Sequence, residues 1–180
     1  MIDIAYDIKL YRKELLKNIN EGSTVIELGS HIGNTTKLIA EKIGKNGKIF
    51  PIDNSPEAVA PMDELMDEFK NINFISGDVR LHNIVEKLYR KIKNCDILSI
   101  DLGGGYHPDT VFKVYYIYSS TFKPKYTIIR NRGLIDFVNS SKTFEEISSN
   151  NGWIESQRNS GIPPQIKEFN LWTDALKDND

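Results

Sequence analysis

A single cysteine, Cys95, in 180 residues excludes an intramolecular disulfide and a zinc site built on thiolates. No apolar run approaches the roughly 20 residues that span a bilayer. The opening Met1-Ile2-Asp3-Ile4-Ala5-Tyr6-Asp7 lacks the basic start and apolar block of a signal peptide. An excess of positive charge is missing too, since 23 Lys and Arg stand against 25 Asp and Glu, net −2. That excludes a generally basic nucleic-acid binder and leaves only a local basic patch open. Internal repeats and low-complexity segments are absent. The expectation is a soluble, cytoplasmic protein of one domain, residues 1–180, because domains typically run to ~100–200 residues.

What the chain does contain is an alternation of short apolar runs with stretches of helical period. Ile8, Tyr11, Leu15, Leu16 and Ile19 share one helical face, which predicts an N-terminal helix within residues 1–20, ahead of a core over 22–173. Thr24–Leu28, Lys48–Ile52, Asn73–Ile75, Asp96–Ile100 and Tyr126–Ile129 read as five strands. Between them lie helical patterns marked by Leu38, Ile39 and Ile43, by Met62, Leu65, Met66 and Phe69, by Ile84, Val85 and Leu88, and by Val111, Val114, Tyr115 and Tyr118. Ser55 before Pro56 reads as a helix N-cap. This alternation means βαβ units and a parallel sheet covered on both faces. The last third differs: a helix is expected around 136–149, then strands at Trp153–Ser156 and Ile166–Trp172. The turn at 161–164 between those strands is too short for a parallel crossover. The predicted fold is α/β: a three-layer, doubly wound, seven-stranded sheet of five parallel strands plus a C-terminal antiparallel hairpin.

Ligands of open α/β sheets bind beyond the carboxyl ends of the strands. The first strand there runs into Glu27-Leu28-Gly29-Ser30-His31-Ile32-Gly33-Asn34-Thr35-Thr36. A dinucleotide loop, Gly-x-Gly-x-x-Gly, fails at His31 and Asn34 when started from Gly29, and no Gly-Lys-Ser/Thr follows to make a phosphate loop. Asp53 ends the second strand, 20 residues after Gly33, where a carboxylate can accept from ribose hydroxyls. Asp78 closes the third strand, where an acid can accept from an adenine amino group. Each acid alone is an ordinary turn residue. Their placement at successive strand ends behind a glycine loop is the strongest functional signal in the chain.

With Glu27, Gly29 and Gly33 in an acidic-x-Gly-x-Gly-x-Gly pattern whose middle glycine is replaced by His31, the chain resembles the class I, Rossmann-like S-adenosylmethionine (SAM) methyltransferases over roughly residues 22–173. The resemblance implies SAM as cofactor. Glu27, Gly29, Ser30 and Gly33 would lie at its methionine end with His31, Asn34 and Thr35 in the same loop. Asp53 and Asn54 would hold the ribose, Asp78 and Val79 the adenine, and Asp101 and Leu102 further cofactor or substrate contacts. Gly77-Asp78-Val79-Arg80 and Ile129-Arg130 also look distantly like fibrillarin-type RNA 2′-O-methyltransferases, which have lysine where Arg130 stands. Asp101 with Gly105-Tyr106-His107 looks like small-molecule O-methyltransferases, some of which bind Mg²⁺. Arg130-Asn131 leaves that metal set one carboxylate short, so no metal is expected.

Methyl transfer from a sulfonium asks the protein chiefly to position and deprotonate the acceptor. Asp101, His107 and Arg130 are the candidate catalytic residues. His107 has an imidazole suited to general-base work, with a surface helix-start histidine as the alternative. Arg130 and Arg132 read either as a clamp for a carboxylate or phosphate or as surface charge. Lys87, Arg90, Lys91 and Lys93 are a basic cluster diluted by Glu86. The expected function is O-methylation of a small acceptor, anionic ones included. The alternatives are a fibrillarin-like RNA methyltransferase and a SAM-fold partner subunit without catalysis. A membrane partner is not expected, and a homodimer is left open.

Overall fold

The computed structural model describes residues 1–157. Its elements are β1 (Ile2–Ala5), α1 (Ile8–Asn18), β2 (Thr24–Leu28), α2 (Asn34–Ile43), β3 (Lys48–Asp53), α3 (Val59–Glu68), β4 (Ile75–Ser76), α4 (His82–Lys91), β5 (Ile97–Ile100), α5 (Pro108–Phe122), β6 (Tyr126–Arg130) and α6 (Arg132–Ser140). The six described strands form one parallel sheet in the order β1-β6-β5-β2-β3-β4. From β2 the chain winds outward to β3 and β4, then crosses back to β5. That reversal between β2 and β5 opens a crevice at their carboxyl ends.

The near-continuous apolar runs of β2, β3, β5 and β6 follow from burial on both faces. Alternate side chains of each strand go to opposite layers. Ile26, Leu98 and Ile129 meet Val85 and Leu88 of α4 and Val111, Val114 and Tyr118 of α5. Val25, Ile49, Ile97 and Ile128 meet Tyr11 and Leu15 of α1 and Ile39 and Ile43 of α2. By the same alternation Glu27 falls on the α1/α2 side, a carboxyl set inside an apolar layer.

Four expectations are corrected. The segment before α1 is a strand, its residues Ile2 to Ala5 pairing in parallel with Thr127 to Arg130. Its alternating Ile-Asp-Ile-Ala suits an edge position, and Tyr126 donates its hydroxyl to Asp3 Oδ2 at 2.9 Å. The helix expected over 136–149 runs over Arg132–Ser140 instead, capped at its start by the buried Asn131, which accepts from Leu134 N. Trp153–Ser156 is not a strand: it is irregular and leads into a 3₁₀ turn at Glu155–Gln157. Ile166–Trp172 lies outside the described residues. The sheet therefore has six parallel strands among the described residues, and the position beside β6 belongs to the N-terminal strand β1. Ser55 does not cap with its side chain; its hydroxyl donates to Asp53 Oδ1 at 2.6 Å. No helix among the described residues is long and apolar enough to cross a membrane.

Helix α1 is tied to the centre of the sheet by a buried polar contact, Tyr11 Oη to Ser99 Oγ at 2.6 Å. Both residues are essentially inaccessible. Tyr11→Phe leaves the Ser99 hydroxyl unpaired in an apolar layer, a loss of roughly 1–3 kcal/mol. Urea denaturation is expected to show that loss, and the double variant Tyr11→Phe/Ser99→Ala is expected to recover a large part of it.

Candidate functional site

Gly29 stands where the chain leaves β2, at φ +83°, a region that glycine enters freely. A Cβ at this position would lie 2.1 Å from the backbone oxygen of Asp101. The two loops bounding the crevice are thus in backbone contact, with Gly29 N donating to Ile52 O and Asp101 N to Leu28 O, both at 2.9 Å. The next residues form a tight turn closed by Gly33 N to Ser30 O at 2.9 Å. His31 takes a left-handed conformation, φ +46°, and its backbone N–H donates to Asp53 Oδ2 at 2.7 Å. Its ring points outward, 63% exposed and 3.8 Å from Glu57 Oε1. Replacing the family's middle glycine therefore leaves the turn intact and puts the imidazole outside the crevice.

Glu27 lies beneath this turn, 2% exposed, and accepts a hydrogen bond from the Thr36 hydroxyl at 2.6 Å. Burial raises its pKa to about 8, against the smaller downward pull of Thr36. At neutral pH the group is a buried carboxylic acid.

The crevice has a volume of about 310 Å³. Of the predicted site residues, Gly29, Asp53, Asn54, Asp78, Val79, Leu102 and His107 line it, joined by Ile52, Gly77, Arg80, Gly103 and Thr110. Asp53 is already engaged by its own loop, Oδ1 accepting from Ser55 N and Oγ and Oδ2 from His31 N. A carboxylate offers about four lone-pair positions, so one remains for a ribose hydroxyl. Asp78 is gripped by Arg80, whose Nε reaches both carboxylate oxygens at 2.9 and 3.0 Å and whose Nη2 reaches Oδ2. The sequence reading treated Asp78 as a free acceptor; an arginine two residues on, across a turn, was the available signal of its engagement.

The remaining predicted residues stand apart from this lining. Ser30 is buried, and its Oγ has no partner among the described residues. Gly33 and Asn34 face a shallow hollow shared with Leu65 of α3. Thr35 Oγ1 accepts from Arg12 Nε at 3.0 Å.

Asp101 and Arg130 end the adjacent strands β5 and β6. Arg130 Nη1 lies 3.2 Å from both Asp101 carboxylate oxygens, and its Nε donates to Tyr6 O at 2.9 Å. Burial raises the Asp101 pKa, with Arg130 and then Arg12 working against the rise. Tyr6, delivered to this rim by β1, lies under the Arg130 guanidinium at 5.6 Å and shares a 2.9 Å hydrogen bond with the Tyr106 hydroxyl. Asn131 Nδ2 holds Tyr106 O at 2.8 Å. The predicted arginine clamp is therefore divided: Arg130 is bound to Asp101, and Arg132 is exposed. Neither Tyr6 nor Arg12 was foreseen, because a strand before α1 is what brings the first of them to the rim.

A family model described as a methyltransferase domain matches residues 19–152. The ribosomal RNA large subunit methyltransferase E of Legionella pneumophila is 33% identical over 86 residues, 47% of this chain and 37% of that protein. A fibrillarin-like rRNA/tRNA 2′-O-methyltransferase of Thermococcus sibiricus is 42% identical over 65 residues, 35% of this chain and 29% of that protein. The chain thus spans well under half the length of these curated relatives. Among solved structures, the Aeropyrum pernix fibrillarin with natively bound SAM superposes with a TM-score of 0.53 at 23% identity, over 63% of this chain and 48% of that one.

A folded protein binding an extra proton at Glu27 loses stability as pH rises from the ordinary carboxyl range, near 4.5, through about 8. The variant Glu27→Gln keeps an acceptor for Thr36 and removes this dependence. It is expected to match the natural protein near pH 4.5 and to exceed it by on the order of 4 kcal/mol above pH 8, as read from denaturation midpoints across that range. With the parallel sheet, the glycine turn and the strand-end acids in place, the chain belongs to the methyltransferase-domain family, within the class I Rossmann-like SAM-dependent methyltransferases.

Proposed function

We propose that the protein transfers the methyl group of SAM to a hydroxyl oxygen, and that the hydroxyl belongs to an RNA ribose. The cofactor reading fits what the crevice offers: a backbone cradle at Gly29 with no room for a Cβ, an acid with one open acceptor position at Asp53, and the apolar Ile52, Val79 and Leu102 beside it. Bound there, SAM supplies an electrophilic methyl group with a good leaving group.

The observation that carries the proposal is the Asp101–Arg130 pair. An acceptor hydroxyl has to lose its proton as the oxygen attacks, and a guanidinium stays protonated and cannot take it. Asp101 accepts that proton. Burial makes it a stronger base than an exposed carboxylate, and Arg130 fixes its orientation. With Arg130 spent on Asp101, a free two-arginine clamp for a small anion is lost, which weakens the small-acceptor reading. RNA as acceptor draws support from the names of the two curated relatives. The second reading, a small acceptor, is favoured by the net charge of −2, because phosphate binding rewards an excess of Lys and Arg.

Incubation with tritiated SAM and ribosomal or transfer RNA transcripts separates the readings. The expected product is labelled RNA whose modified linkage resists alkaline hydrolysis. Asp101→Asn is expected to lower turnover at least about 100-fold, while His107→Gln stays within about tenfold. Label appearing in small phenols or carboxylates and not in RNA would establish the second reading. SAM binding without transfer to any acceptor would instead indicate a partner subunit.

A further inference from the structure

We infer that Tyr106 is the stacking platform for the base of the acceptor nucleotide, so that the protein methylates unpaired RNA; this rests on the acceptor being an RNA ribose. Tyr106 is 50% exposed, yet it is held from several directions. Its hydroxyl shares the 2.9 Å hydrogen bond with Tyr6, and the two rings meet edge to face with 6.0 Å between centroids. Its carbonyl accepts from Nδ2 of the fully buried Asn131, which also caps α6 at Leu134 N. None of these contacts takes the ring into either core layer. An exposed ring whose conformation is already fixed loses little further freedom when a flat partner covers it.

The position of the ring separates it from the cofactor and joins it to the reacting end. Leu102, Gly103 and His107 of the same loop line the crevice, and Tyr106 does not. Tyr106 leads instead to Tyr6, Tyr6 to the Arg130 guanidinium at 5.6 Å, and Arg130 to the Asp101 carboxylate at 3.2 Å. A base on Tyr106 and a hydroxyl at Asp101 therefore belong to one nucleotide. Arg132 stands beside the ring: hydrogen bonding to Tyr6 lowers the Tyr106 pKa, and Arg132 adds to that pull. Being exposed, the Arg132 guanidinium suits the phosphate next to a stacked base. A net charge of −2 gives the protein little from neutralising phosphates, so an RNA acceptor has to be gripped by another force. Stacking on an aromatic face is that force, since it needs no excess of Lys and Arg and accepts any base. A base inside a duplex has both faces covered, so only an unpaired or extruded nucleotide can use Tyr106.

Methyl transfer from tritiated SAM by the natural protein, Tyr106→Ala and Tyr106→Phe tests this. The first probe is a single-stranded oligonucleotide spanning the ribose that is labelled in ribosomal or transfer RNA. The second is the same strand paired with its complement, and the third is the strand with its acceptor base removed and the ribose kept. Tyr106→Ala is expected to raise KM for the single strand by about 10- to 100-fold, with kcat held within about threefold. Tyr106→Phe, which keeps the ring, is expected to recover most of that loss. The duplex should be methylated at least about tenfold more slowly than the single strand. On the strand lacking the base, the natural protein and Tyr106→Ala should be equally poor. Calorimetry with S-adenosylhomocysteine should give one affinity for all three proteins. An equal loss by Tyr106→Ala on the intact and base-free strands would overturn the inference, as would lost S-adenosylhomocysteine binding, because either marks a role in shaping the loop. Unchanged activity of Tyr106→Ala, or a preference for the duplex, would overturn it too. Absence of label from every RNA defeats the RNA reading itself and leaves no acceptor base to stack.

Discussion

The contact between Gly29 and the Asp101 carbonyl sets the geometry of everything at the carboxyl edge. β2 and β5 are neighbours in the sheet although about 70 residues of chain separate them. The turn after β2 bends over the sheet to begin α2, and where it leaves the strand Gly29 lies directly against the Asp101 backbone. A side chain at Gly29 would push the two loops apart by an ångström or more. With them would go the floor of the crevice, the height of the Ser30–Gly33 turn above Glu27, and the approach of Asp101 to Arg130. The crevice is thus a product of winding direction and of one missing Cβ. The acids then determine what enters it.

Those acids are held in three different states by their surroundings. Glu27 is buried with the Thr36 hydroxyl as its hydrogen-bond partner, and it is neutral at pH 7. Asp101 is half sheltered and faces a guanidinium, so burial and ion pairing oppose one another there. Asp78 is fully matched by Arg80. A cationic ligand entering such a rim meets little unbalanced negative charge at first. Its attraction comes from reorganising these pairs, since a sulfonium or ammonium beside Glu27 favours loss of the proton that burial retains. Ligand charge and protonation of Glu27 are therefore linked through ordinary electrostatics.

The legible part of the chain was the part where local pattern and burial agree. The four internal strands, the helices between them and the acids at the strand ends followed from apolar runs of four to six residues broken by glycine, proline or an acid, because strands covered on both faces have to look that way; the edge strand β4, expected over Asn73–Ile75, is only the two residues Ile75–Ser76. β1 was not legible. Four residues, Ile-Asp-Ile-Ala, carry too little hydrophobic area to announce a strand, and their partner lies some 125 residues away. The opposite error came at Trp153–Ser156, whose strand-like composition is overridden by its tertiary setting. At the site, residue type told where carboxylates would gather but not which of them would be engaged. The partners of Asp78 and Asp101 depend on side-chain reach across turns and between strands, which spacing alone does not encode.

The two unforeseen residues at the rim share one origin. β1 seats the N-terminal segment against β6, so that Tyr6 emerges beside Arg130, and the turn that follows, capped by Asp7 on Leu10 N, launches α1 across the sheet face toward α2. Tyr11 then fixes the rotation of α1 through Ser99, and with the rotation fixed Arg12 has to point along the next helical position, toward Thr35. A helix without the strand ahead of it would pack by its apolar face alone, and a slide of one turn along the sheet would bury the same leucines while moving Arg12 by 5.4 Å. The edge strand therefore contributes register more than stability. It converts a generic amphipathic helix into one that delivers a cation to a defined place beside two acids.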